Sequence, residues 1–130
     1  MANLNTNRKK IEKLFPSVYI TLVSILLGFA VEDVISRLRE LAQIDIYTSL
    51  AAVAILSTVI AAWIGYSFVS MTQERLPRVW DAIHVFFLAF CFYAMNSTLG
   101  KEIWHFLSAF LLYQSASLFA SLYNGNIFYR

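Results

Sequence analysis

The chain has one cysteine, two prolines and four glycines, and only 14% of its 130 residues are charged. A lone Cys91 excludes an intrachain disulfide and leaves the redox compartment undefined. No Gly-rich phosphate loop, His-Glu-x-x-His zinc motif or Gly-x-Ser-x-Gly elbow can be written. Neither proline nor glycine breaks an apolar run near its middle, so the broken helices that build many transporter sites are missing. The scarcity of charge excludes most. Soluble domains carry roughly 25% charged and about 45–50% apolar residues, whereas 59% of this chain is apolar. A soluble domain of this size could not hide that excess. A water-soluble enzyme and a disordered segment are excluded. Ten Lys/Arg against eight Asp/Glu is no surplus for a nucleic-acid partner.

The apolar excess is concentrated. Uncharged runs extend over Leu14 to Val31, Ile46 to Gln73, Ala82 to Gly100 and Ile103 to Tyr129. Each reaches the roughly 18 residues needed to cross a hydrocarbon core of about 30 Å. None alternates as a barrel strand would, and backbone in lipid must satisfy its own hydrogen bonds. The pattern predicts an all-α integral membrane protein of four antiparallel transmembrane helices, at about 14–35, 46–71, 80–99 and 102–123. Residues 1–13 form a basic, polar tail, 14–123 one transmembrane domain, and 124–130 a short second tail. Gly28 and Ala30 resemble a signal-cleavage pair behind a basic segment. The run is longer than a signal core, however, and Pro16 suits a helix's first turn, so it is read as a span.

Lys/Arg asymmetry sets the expected orientation. Arg8, Lys9, Lys10, Lys13, Arg75, Arg78 and Arg130 fall on one side, and Arg37, Arg39 and Lys101 on the other. Both termini are expected in the cytoplasm, with the chain in a plasma or bacterial inner membrane. Trp80 and Trp104 start spans, as belt aromatics do, whereas Trp63 lies inside its span, about 7 Å from the middle by rise per residue.

Polar residues form stripes. Ser17, Thr21, Ser24, Gly28 and Glu32 recur at spacings of 4, 3, 4 and 4, which keeps them on one face of the first helix. Such a face is either a packing seam or one wall of a polar path ending in a carboxylate ring. Ala54, Ser57, Ala61 and Gly65 make a small-residue face on the second helix. The fourth helix is polar on two faces: His105, Ser108 and Ser115 on one, and Gln114, Ser117, Ser121 and Asn124 on the other. One should meet the bundle and the other a second chain or water.

Glu32, Asp33, Arg37, Lys101, Glu102 and His105 gather at the outer face. Asp33 stands four residues before Arg37, the favourable order for a local ion pair. His105 is a candidate outer pH sensor. Asp81-x-x-His84 and Glu102-x-x-His105 have the Glu-x-x-His spacing of di-iron bundles, but topology puts them at opposite membrane faces. Neither metal nor other cofactor is expected, and no catalysis. The expected partners are the lipid bilayer, further copies of the chain and a protein at the cytoplasmic face. A homo-oligomeric channel or pore, for ion flux or membrane permeabilisation, is the leading expectation. A non-catalytic anchor or partner subunit comes second and a small transporter third.

Overall fold

The computed structural model describes the backbone of residues 2–72 and 78–128, and the side chains of 5–72 and 78–122. The described residues form four helices: α1 (Ala2–Glu40), α2 (Ile46–Thr72), α3 (Val79–Asn96) and α4 (Ile103–Phe128). All four are long and apolar enough to cross a membrane. The chain is therefore an all-helical membrane protein of four spans, as the charge-free runs predict.

Four boundaries differ from expectation, one of them the end of α1, which falls at Glu40 rather than near residue 35. Helix α1 starts at Ala2 rather than near residue 14, so the basic segment is helical and Pro16 lies inside the helix, not in its first turn. Arg, Lys, Glu and Leu are good helix formers, and Arg8 pairs with Glu12 one turn on at 3.2 Å. Pro16 lacks an N–H, which frees the Glu12 carbonyl. Beside the charged segment that carbonyl is within reach of water. Helix α3 stops at Asn96, three residues early, and α4 continues to Phe128 through most of the expected tail.

The stop after α3 is built locally. Thr98 Oγ1 donates to the Met95 carbonyl at 2.6 Å and Ser97 Oγ to the Ala94 carbonyl at 2.8 Å, which satisfies acceptors the helix end leaves open. Gly100 then takes φ +76°, a left-handed conformation. A Cβ there would lie 2.5 Å from Leu41 Cδ2, so α1's end packs directly onto the hairpin.

Cross-helix contacts fix the levels. Tyr19 on α1 meets Tyr66 on α2 at 6.1 Å between ring centroids, and Tyr66 meets His84 on α3 edge-on at 6.0 Å. Further along, Trp63 Nε1 donates to Ser24 Oγ at 3.0 Å. At the hairpin end, Asn96 reaches the Ala30 carbonyl. Phe92 on α3 meets Tyr113 on α4 at 5.5 Å. The order of these pairs requires helices that alternate in direction. Val23, Leu27, Ala30 and Val34 of α1 interlock with Ile55 and Val59 of α2 and with Val85, Phe92 and Met95 of α3 in the buried core. Helix α4 packs on α3 and makes no comparable seam with α1 or α2.

Candidate functional site

Because α4 leans mainly on α3, a cleft of about 720 Å³ opens between α2, α3 and α4 in the half of the bundle near the N-terminus. Ser57, Ala61 and Gly65 line its α2 wall, and Gln114, Ser117 and Ser121 its α4 wall. The small face of the second helix and one polar face of the fourth are thus brought together. Tyr19, Tyr66, Asp81, His84, Cys91 and Tyr113 complete the lining. Tyr66 and Tyr113 bury most of their rings, and Cys91 is fully covered. Among the described residues no hydrogen bond engages the side chains of Gln114, Ser117 or Ser121. The Asn124 side chain lies outside the described residues, as do Arg75 and Arg130.

Asp81 lies at the cleft's lip nearest the N-terminus, where its Oδ2 accepts from the Arg78 N–H at 2.7 Å. That bond caps α3, and the carboxylate complements the positive end of the helix dipole. His84, one turn on, rests against Tyr66. Asp81 and His84 are therefore held by cap and ring contacts. Glu102 and His105 belong to the other end of the bundle, where both are exposed.

The stripe on α1 faces away from the cleft. Ser17, Thr21, Gly28 and Glu32 are exposed, and Ser24 alone approaches another helix, through Trp63. Thr21 Oγ1 donates to the Ser17 carbonyl at 2.8 Å and Ser24 Oγ to the Ile20 carbonyl at 2.8 Å. These back-bonds let hydroxyls tolerate an apolar medium. Nothing stands within 4 Å of where a Cβ on Gly28 or Gly65 would lie, so neither glycine serves a close approach inside the chain. Ser108 and Ser115, on the other polar face of α4, are exposed and back-bonded to Trp104 and Leu111.

The outer-face cluster divides. Asp33 and Arg37 form the ion pair that their spacing implies, at 3.1 Å. The Arg37 guanidinium also sits 5.7 Å above the Tyr93 ring, within cation–π range. Lys101, Glu102 and His105 are exposed and no described contact joins them to Asp33 or Arg37. What sequence reasoning missed is Asn96. It is 1% exposed, and its amide donates to Asp33 Oδ2 at 2.9 Å and to the Ala30 carbonyl at 3.1 Å. An Asn inside an otherwise apolar span is the signal that marks it.

Before α2, the exposed Asp45 accepts from the Thr48 backbone N–H at 2.8 Å. Hydrogen bonds from the Thr48 side chain and then its backbone hold the carboxyl below its ordinary pKa.

Comparison of the chain with known protein families, curated proteins and solved structures finds no match.

Proposed function

We propose that the chain is one subunit of a homo-oligomeric membrane channel. The observation that carries this reading is the position of α4. It has polar side chains on two faces at membrane depth: Gln114, Ser117 and Ser121 in the cleft, and Ser108 and Ser115 turned outward. With α4 packed mainly on α3, a solitary chain would leave Gln114, Ser117 and Ser121 open to hydrocarbon, which costs free energy for every unmet polar group. Several copies around an axis relieve this. A neighbouring chain covers the cleft, and the outward face borders a hydrated path. Back-bonded Ser108 and Ser115 suit such a wall, since each retains acceptor capacity toward a passing hydrated ion. Glu32, exposed near the hairpin end, adds a ring of carboxylates to the mouth.

Recording from the purified protein in planar bilayers tests the reading. Discrete conductance steps are expected, with Glu32→Gln shifting their ion selectivity. Electrical silence from correctly folded, inserted protein contradicts it.

A second reading, a membrane anchor, is supported by α1. Its 39 residues span ~58 Å at the usual rise per residue, well beyond a core of about 30 Å. Most of the surplus, ~18 Å at 1.5 Å per residue, is the basic helical segment with Arg8, Lys9, Lys10 and Lys13, all exposed. On the cytoplasmic side it would face anionic lipid or an acidic partner. This reading expects silence in bilayers and a soluble protein that co-purifies.

A further inference from the structure

We propose that the polar ridge on α1 of one copy seats in the α2–α4 cleft of the next, so that copies join head to tail in a closed ring. The inference deepens the oligomeric channel reading and rests on it.

Ridge and cleft lie on roughly opposite sides of one chain. Tyr19 lines the cleft from behind. Ser17 and Thr21, two residues to either side of it, are turned by about 160° from it on the helix and are exposed. A protrusion on one side and a recess on the other make a heterologous interface, which closes into a ring when the rotation allows.

The depths also match. Copies related by an axis along the membrane normal keep every residue at its own depth, so only residues at equal depth can meet. The Tyr19–Tyr66–His84 ring contacts put these three at one level. Phe92 is level with Tyr113, and the antiparallel run of α4 then places Ser121 level with His84. Thr21 therefore lies ~3 Å from the level of Ser121 at 1.5 Å per residue, with Ser117 about one turn higher. Trp63 is level with Ser24, so the Ala61 and Gly65 rungs bracket that hydroxyl on the opposite wall. The ridge covers the same depth range as the recess it would fill.

The chemistry agrees. Gln114, Ser117 and Ser121 carry donors and acceptors that no described hydrogen bond uses. The Ser17, Thr21 and Ser24 face offers acceptors in turn: the Thr21 and Ser24 hydroxyls are already donating, so each keeps a lone pair for a donor across the seam. Gly28 and the Ala61 and Gly65 wall let backbones approach closely.

The test uses two differently tagged chains, both Cys91→Ala, one with Thr21→Cys and the other with Ser117→Cys, coexpressed and oxidised in native membranes. A disulfide-linked heterodimer is expected, with neither single-cysteine chain forming a homodimer. Homodimers of Thr21→Cys would mean an α1–α1 two-fold contact and overturn the docking while leaving an oligomer. No cross-link in protein that still sizes as an oligomer also overturns it. Monomeric protein in the membrane overturns both the docking and the channel reading. Gly28→Leu is the independent variant. A Cβ at this position meets nothing in the chain, so the four-helix fold should persist while the oligomer dissociates at least tenfold more readily. An unchanged oligomer contradicts the proposal.

Discussion

The Asn96 side-chain amide donates to Asp33 Oδ2 at 2.9 Å, and so ties α3 to α1 at one end of the bundle. Asp33 in turn accepts from Arg37, and Arg37 covers Tyr93 back on α3. The chain is pinned at this end, while α2 and α4 stand apart at the other.

Loss of that pin should be measurable. Interhelical hydrogen bonds in membranes contribute about 0.6–2 kcal/mol each. Asn96 makes two and is fully buried, so Asn96→Ala is expected to destabilise the protein by ~2–3 kcal/mol once the void is included. His105→Ala, at an exposed site of the same end, should stay within about 0.5 kcal/mol of wild type. Equilibrium unfolding in mixed micelles compares the two.

Trp63 and Ser24 should couple. Their 3.0 Å bond joins α2 to α1 near mid-membrane. A double-mutant cycle of Trp63→Phe and Ser24→Ala is expected to return an interaction of roughly 0.5–1.5 kcal/mol. An additive cycle would show that the bond contributes nothing.

The glycines should separate by position. Gly100→Ala forces a Cβ into left-handed backbone, which costs about 1–2 kcal/mol, and drives it against Leu41. Gly65→Ala meets nothing within 4 Å, so the protomer's fold should be as stable as wild type or slightly more so, given alanine's helix propensity. Thermal unfolding in detergent ranks the variants.

Asp45 should contribute to acid sensitivity. Its carboxyl is held below the ordinary value of 3.8 by bonds from Thr48. A group with a lowered folded-state pKa stabilises fully above its unfolded value, and loses that contribution as pH falls through the folded value. The loss is therefore expected below about pH 4. Asp45→Asn keeps an acceptor for the Thr48 N–H without titrating, so its stability should fall less over roughly pH 4 to 2 than that of wild type.

Much of this was legible in the residues. Charges at Lys13, Glu32, Asp45, Asp81 and Lys101 bracket the apolar runs, because a charge inside hydrocarbon is costly. Trp63 could be placed inside its span, about 7 Å from the middle, by counting alone. Helical spacing grouped Ser57, Ala61 and Gly65 on one face and Gln114, Ser117 and Ser121 on another, but spacing defines an angle on one helix, not which helix stands opposite. Their meeting across a cleft depends on α4 packing mainly against α3, a tertiary choice. Asn96 escaped for the same reason, since its partner is 63 residues away. The extension of α1 was hidden by Pro16 and by charge, both of which look like a span boundary. Charge limits what enters the membrane without ending a helix.

The central claim, a hydrated path bordered by the outward face of α4, is tested most directly by thiol modification during recording. In a Cys91→Ala background, Ser115→Cys channels in planar bilayers should lose current in discrete steps when a charged, water-soluble thiol reagent is added, one step per subunit modified. Current that persists unchanged after the introduced thiol is labelled, or no current from inserted oligomer, would contradict the account.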